Sequence, residues 1–210
     1  MQPSPHVYAV DVGSPKRGKF AWAQPDDRRA TKASSHMPAL ANSVAADLEA
    51  GDRVALGFEC PLYFPLSDDP RLVTKARDFE GDRSWSASPG ATVSATGLVE
   101  VTWILRTIKT NVRRQVRPYL SWSDFEKVEE GLFLWEAFVP HRGTSSAPLL
   151  ATPDWRDARA AARAFLKHIH ERTVREPRGE VVSLLGLALL HTHWSDDLTL
   201  LHAPCSVVIL

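Results

Sequence analysis

Two acidic residues, Asp11 and Glu59, stand at the ends of apolar stretches in this sequence. Asp11 follows the run HVYAV, and Glu59 follows the run RVALGF. Burying an ionised carboxylate without a partner costs about 2 kcal/mol or more, so a folded chain tends to place such groups at strand ends. There they face a partner, a metal ion or a substrate. Two acids in equivalent positions of two strands therefore predict a site for a divalent cation.

The residues around these acids favour the same interpretation. Side chains alternate along a strand, and the residue two positions before each acid, Ala9 or Gly57, is small. The small residue would leave space beside the carboxylate. A third acid, Glu136, is the only charge in the run LFLWEAFV. Three strands would thus bring three acids to one end of a sheet.

Three carboxylates at one end of a sheet would suit Mg²⁺. This ion prefers oxygen ligands, keeps several waters, and is often held by a few carboxylates together with substrate phosphates. Two such ions about 4 Å apart would stabilise the attacking and leaving oxygens during phosphodiester hydrolysis. A structural interpretation stays open beside this one. In it, Asp11 caps the following turn, Glu136 pairs across the sheet, and Glu59 pairs with an arginine.

The elements that would position these acids follow a mixed α/β order. A hairpin comes first, because the segment 13–18 contains a Gly, Ser and Pro turn signal between two strands. The strand ending at Glu59 is apolar on both faces, which indicates a central position with helices above and below. The sequence also predicts a weak strand within 25–36, a helix over 38–49, a strand over 53–60, a loop over 61–93, a helix over 93–116, a strand over 131–139, helices over 152–173 and 180–193, and a strand over 205–210.

The length and composition are those of one soluble globular domain spanning residues 1–210, with 24% charged and 44% hydrophobic residues. The formal net charge is zero, so any contact with nucleic acid needs a local basic patch. The two cysteines, Cys60 and Cys205, provide no disulfide framework or zinc-finger spacing. The sequence shows no signal-peptide pattern, and its longest apolar stretch is shorter than the about 20 residues of a membrane span. We therefore expect a cytoplasmic protein without a membrane partner.

The predicted loop after Glu59 carries residues suited to a polyanion. Three arginines, Arg71, Arg77 and Arg83, are followed by Trp85. Guanidinium groups suit phosphates, and an aromatic ring offers a stacking surface for bases. The same residues would equally suit internal pairing with the acids of this loop.

Four segments of the sequence resemble the ribonuclease-H-like superfamily, and within it the DUF429-type family of predicted nucleases. VDVGSPKRGKFAWA resembles the family's opening strand, turn and hairpin, with Asp11 as the first acid. GFECPL resembles its acid-then-proline strand end, with Glu59 where an aspartate is more usual. RLVTKARDFEGDRSWSA resembles its arginine-containing loop, and LWEAFVP its later strand with Glu136. The family tends to carry two acids one helical turn apart in a final helix, where this chain has Glu180 and then Ser183.

The resemblance implies a ribonuclease-H-like mixed sheet with N-terminal hairpin strands and helices on both faces. It also implies a nuclease that uses Mg²⁺ or Mn²⁺ to hydrolyse a phosphodiester of nucleic acid. Asp11 and Glu59 would bind the metal, and Glu136 and Glu180 would complete the catalytic set. The implied substrate-binding residues are Arg71, Arg77, Arg83 and Trp85.

Two alternatives remain open at the level of sequence. One is a non-catalytic binding or scaffold module with the same fold, which Ser183 in the place of an acid favours. The other is a nucleotide-handling enzyme of the actin and sugar-kinase type, which also opens with an Asp-x-Gly strand. That second type requires a further glycine-rich phosphate loop, and this sequence contains none.

Overall fold

A computed structural model describes residues 4–25, 31–81, 84–138 and 155–210. The elements of the described chain are β1 His6–Asp11, β2 Ala21–Pro25, β3 Thr31–Ser34, α1 Met37–Ala50, β4 Arg53–Phe58, β5 Tyr63–Pro65, α2 Ser88–Asn111, β6 Pro118–Tyr119, α3 Trp122–Phe125, β7 Gly131–Phe138, α4 Trp155–Glu171, β8 Val181–Ser183, α5 Leu184–His191 and β9 Val207–Ile209. Short 3₁₀ helices cover Pro15–Arg17 and Leu198–His202.

The main sheet is mixed and has β1, β4 and β7 at its centre. Its strand order is β3-β2-β1-β4-β7-β6, and β9 also pairs with β7. The pairs β1–β4, β4–β7, β6–β7 and β7–β9 are parallel, whereas β1–β2 and β2–β3 are antiparallel. The N-terminal hairpin and the mixed α/β sheet predicted from the sequence are therefore confirmed. This architecture is compatible with the ribonuclease-H-like fold that the sequence resembles.

Helices cover both faces of this sheet. On one face, α1, α2 and α5 form an apolar cluster with the central strands, through residues such as Leu40, Ile104 and Leu185. On the other face, α4 contributes Ala161 and Phe165 to a second cluster. Strands buried on both faces read as continuous apolar runs rather than as alternating ones, which explains the composition of β1, β4 and β7.

The first helix shows why its sequence forms this element. His36 precedes α1, and its Nδ1 accepts a hydrogen bond of 3.2 Å from the amide of Ala39, so one of the unsatisfied N–H groups of the first turn is capped. Leu40, Val44 and Leu48 recur at a spacing of four and are buried. Gly51 ends the helix with a φ of 88°, a left-handed conformation that glycine adopts readily.

The chain after β4 departs from the predicted elements in several places. Helix α2 begins at Ser88 instead of 93, since Pro89 is well suited to a first helical turn, and ends at Asn111. The predicted helix over 180–193 is divided, because Val181–Ser183 pairs with β5 as a strand and only Leu184–His191 is helical. The loop over 61–93 contains β5. The predicted start of α4 at 152–153 lies outside the described residues.

Among the described residues, no helix combines the length and the apolar character that crossing a bilayer requires.

Candidate acidic site at the carboxyl ends of the central strands

Asp11 and Glu59 lie side by side at the carboxyl ends of β1 and β4. The two strands pair in parallel register, with Val10 opposite Phe58. The amide of Glu59 then donates a hydrogen bond of 2.8 Å to the carbonyl oxygen of Val10, so the register continues to the two acids. Both acids border one cavity of about 360 Å³. Open α/β sheets bind ligands at the carboxyl ends of their strands.

The two acids also belong to the same face of the sheet. Ala9 of β1 and Ala55 of β4 contribute to the apolar cluster under α4. Because side chains alternate along a strand, Asp11 and Glu59 fall on this face as well. The convergence of these two acids, expected from the sequence, is thus consistent with the strand register.

Gly57 has a different role from the one that the sequence indicates. The ring of Trp135, from the neighbouring strand β7, lies directly over this glycine, and a Cβ atom at position 57 would come within 2.2 Å of it. The missing side chain therefore accommodates an aromatic ring of the core and does not open space beside Glu59.

Glu136 belongs to the opposite face of the sheet. Leu132 and Leu134, which precede it at a spacing of two, pack in the cluster with α1 and α2. Its carboxylate accepts hydrogen bonds from Nη1 and Nη2 of Arg77 at 2.8 and 2.6 Å, and from the amide of Leu62 at 3.0 Å. Although Glu136 borders the cavity, these donors hold its carboxylate. Glu136 is therefore a buried charge partner of Arg77, and the catalytic role expected for it stays a prediction.

Arg77 is likewise an internal residue. Its side chain is 3% exposed, and its Nε donates to Oε1 of Glu80 at 2.8 Å. Burial alone would lower the pKa of Arg77, but the Glu136 carboxylate raises it above its ordinary value. The guanidinium joins two buried carboxylates instead of facing the solvent, and the substrate-binding role expected for Arg77 stays a prediction.

Trp85 is held at the cavity by the same network. Its backbone amide donates to Oε2 of Glu80 at 3.1 Å, and its indole Nε1 donates to the carbonyl of Lys75 at 3.1 Å. The ring stacks on Phe64, with 4.1 Å between the ring centroids. Trp85 borders the same cavity as Asp11 and Glu59, so the structure brings these three predicted site residues together.

The remaining predicted site residues lie elsewhere. The Arg71 side chain is 87% exposed and pairs with Asp69 at 2.7 Å, and Arg71 is absent from the described lining of the Asp11 cavity. Glu180 precedes β8 outside any helix, and it borders a separate cavity of about 610 Å³. Glu180, where the resemblance places the first acid of a final helix, is thus not helical. Arg83 lies outside the described residues.

Sequence reasoning missed Glu100, an acid buried in α2. It is 6% exposed, and its Oε2 accepts a hydrogen bond of 3.3 Å from the amide of Gly13, two residues after Asp11. Burial raises the pKa of this carboxyl to about 7. The helical spacing of the sequence could have indicated that Glu100 is buried, because Glu100 lies about one turn from the buried residues Gly97 and Ile104.

The start of α2 borders the cavity with Ala87, Pro89 and Gly90. The first turn of this helix carries no acidic residue, and its N-cap residue Ala87 supplies no side-chain hydrogen bond. The amide groups of a helix start favour an anion. An anionic group that binds between this helix start and the two carboxylates would thus be attracted by the partial positive charge of the helix N-terminus.

A second group of potential metal ligands lies at the opposite end of β1. Ligand atoms of His6, Asp47 and Asp52 lie within 4.8 Å of one another. Oδ2 of Asp47 already accepts a hydrogen bond of 2.7 Å from the hydroxyl of Tyr8 and lies 2.6 Å from Nδ1 of His6. Among the described residues, Asp11 and Glu59 do not belong to a group of three or more potential ligands that lie this close together.

The chemistry of the Asp11 site follows from this inventory. Two carboxylates supply hard oxygen donors, which suit Mg²⁺ or Mn²⁺. A pair of protein ligands fits an ion that takes its remaining ligands from water and from substrate phosphates. These two residues therefore fit one cation that is only partly coordinated by the protein, and they do not form a complete set of protein ligands.

Comparison with known proteins gave no match to any family model, and neither a curated protein nor a solved structure matched the chain.

Proposed function

We propose that this protein is a ribonuclease-H-like nuclease of the DUF429 type, which hydrolyses a phosphodiester of nucleic acid with Mg²⁺ or Mn²⁺. One observation carries the proposal: Asp11 and Glu59 lie on neighbouring parallel strands at the centre of the sheet, and both border one cavity. The resemblance implies that these two acids bind the metal.

Each part of the cavity has a role in this proposal. Asp11 and Glu59 would hold the cation, which when bound lowers the pKa of water and neutralises charge that develops on the phosphate. The start of α2 favours the charge of the phosphate itself through its N–H groups. Glu80, which borders the cavity, stays committed to Arg77 and to the Trp85 amide, so it orients the wall of the site.

Cleavage of labelled oligonucleotides tests this proposal. The panel contains single-stranded and duplex DNA and RNA, incubated with Mg²⁺, with Mn²⁺ or with EDTA. We expect cation-dependent cleavage that Asp11→Asn and Glu59→Gln each reduce by at least 100-fold. Glu180→Gln is the matched control, because it removes an acid that borders the other cavity. Cleavage that persists in both Asp11→Asn and Glu59→Gln would contradict the proposal.

A second candidate is a non-catalytic binding module with the same fold. Two observations favour it: Arg77 holds the carboxylate of Glu136, and Ser183 caps α5 by accepting a hydrogen bond of 3.0 Å from the amide of Gly186. Two of the three positions where the resemblance places further acids, 136 and 183, thus have structural roles. Cation binding at Asp11 and Glu59 with no cleavage of any oligonucleotide would support this second candidate.

A further inference from the structure

Trp85 forms a fixed aromatic wall of the Asp11 cavity. Phe64 stacks against its ring with 4.1 Å between centroids and an angle of 25° between planes. Phe64 does not itself border the cavity, whereas Trp85 does. With its Nε1 bound to the carbonyl of Lys75, the indole is held in place before any ligand arrives. Because the Trp85 ring is already ordered, a ligand that stacks on it loses little affinity to the conformational entropy of this side chain.

The lining of the cavity combines acidic and apolar residues. Glu80 and Glu136 pair with Arg77, and Asp11 and Glu59 border the cavity together with the apolar residues Val12, Pro61, Pro89, Val93 and Phe138. Its volume of about 360 Å³ lies at the lower end of the roughly 300–1,000 Å³ typical of small-molecule sites. Such a space suits a single planar, mostly apolar group attached to a charged one.

We propose that this cavity takes one unpaired nucleobase against Trp85, so that the protein binds single-stranded nucleic acid in preference to a duplex. This inference rests on the nuclease activity proposed above, because the phosphate beside the two acids brings the base to the ring. In a duplex, each base is stacked and paired, so it reaches a protein pocket only after leaving the helix. Base–aromatic stacking tolerates any base sequence, because every base has a π-face.

Fluorescence anisotropy with four labelled ligands tests the proposal. The ligands are oligothymidylate, oligouridylate, an abasic oligomer with the same number of phosphates, and a DNA duplex. Binding is measured with Ca²⁺ and again with EDTA. We expect both base-containing single strands to bind about tenfold or more tightly than the abasic oligomer and the duplex. Comparing the affinities for oligothymidylate and oligouridylate shows whether the protein prefers a base from DNA or from RNA.

Two variants and a control locate the effect. Trp85→Ala should remove the tenfold preference for bases, and Trp85→Phe should keep most of it. Trp103→Ala is the matched control, because Trp103 is a 40% exposed tryptophan on α2 outside the cavity lining. A preference that survives in Trp85→Ala, or equal binding of the abasic oligomer by the unmodified protein, would overturn the proposal. Absence of binding to every ligand would overturn it as well.

A measurement on the unmodified protein serves if Trp85→Ala does not fold. An oligonucleotide containing 2-aminopurine loses fluorescence when the base stacks, so we expect quenching on binding, and brightening would contradict stacking. The binding result and the cleavage result are separable. If Asp11→Asn and Glu59→Gln both leave cleavage unchanged while the base preference is present, the nuclease proposal fails and the nucleobase site stands.

Discussion

Arg77 and Glu136 form a buried ion pair, joined by two hydrogen bonds of 2.8 and 2.6 Å. The pair lies on the face of the sheet that α1 and α2 cover, whereas strand alternation places Asp11 and Glu59 on the other face. The acids at this end of the sheet are therefore divided into two sets. One set, which contains Glu136, pairs with Arg77 of the loop that carries Trp85, and the other set consists of the two acids for which we propose a cation.

Breaking this pair should destabilise the protein strongly. In Arg77→Met the methionine keeps part of the packing between the rings of Tyr63 and Phe79, each 4.7 Å from the guanidinium carbon. It leaves the buried Glu136 carboxylate without its charge partner, which costs about 3–5 kcal/mol. Urea unfolding measures this loss as a lower midpoint.

Arg71→Met is the control for that experiment. Arg71 pairs with Asp69 at the surface, with its side chain 87% exposed, and exposed pairs contribute about 0–1 kcal/mol. Adding Glu136→Gln to Arg77→Met should recover part of the lost stability, because the uncompensated charge is removed. Equal losses in Arg71→Met and Arg77→Met would contradict the assignment of Arg77 as an internal group.

A cation that binds at Asp11 and Glu59 should raise the thermal midpoint. At a Mn²⁺ concentration of about 100 times its dissociation constant, binding adds about 2.7 kcal/mol. For a chain of this size that corresponds to a shift of roughly 5–10 °C. We expect Asp11→Asn and Glu59→Gln each to remove most of the shift in a thermal unfolding assay.

The His6 group provides the necessary comparison for the Mn²⁺ experiment. Its side chains lie at the other end of β1, so the double variant His6→Ala with Asp52→Asn should keep the shift. A shift that disappears in this double variant, and persists in Glu59→Gln, would place the bound cation at the wrong end of the strand for the proposed function.

Glu100 should make the stability depend on pH. Its pKa is about 7 in the folded chain against an ordinary value of 4.5. Between these values the unfolded chain releases the proton while the folded chain retains it, so stability falls as the pH rises through this window. This loss in the free energy of unfolding is complete above pH 7 and amounts to about 1–3 kcal/mol.

Replacing Glu100 by Gln should remove this dependence, since the amide accepts a hydrogen bond from Gly13 at any pH. The measurement is the free energy of unfolding in urea at pH 5 and at pH 8. Glu129→Gln, at an exposed position, is expected to retain the slope of the unmodified protein. If Glu100→Gln also retains the pH dependence of the unfolding free energy, the buried carboxyl of Glu100 does not cause that dependence.

A methyl group at position 57 should be poorly tolerated. Gly57→Ala places a Cβ atom about 2.2 Å from the ring of Trp135, and overpacking of this kind costs about 1–3 kcal/mol. Thermal unfolding of Gly57→Ala, Trp135→Leu and the double variant gives their coupling energy. Because the smaller side chain relieves the clash, the double variant should be more stable than the sum of the two losses indicates. Strict additivity would contradict the contact.

The central strands and the position of Asp11 and Glu59 followed from the sequence, because apolar runs and side-chain alternation are local properties. The partner of Glu136 did not follow. Arg77 stands 59 residues away in a charged loop, where an arginine is normally exposed. The strand at Val181–Ser183 was also missed, since its apolar residues continue directly into those of α5 and only the pairing with β5 distinguishes the two.

The pairing of β8 with β5, and of β9 with the end of β7, has a consequence for synthesis on the ribosome. Both stabilising strands come from the 181–209 stretch, and their partners emerge from the exit tunnel long before them. These two pairings therefore cannot form until the 181–209 stretch has been synthesised, and pairings so distant in sequence form slowly. Until then the edges of β5 and β7 are exposed to chaperones and to neighbouring nascent chains.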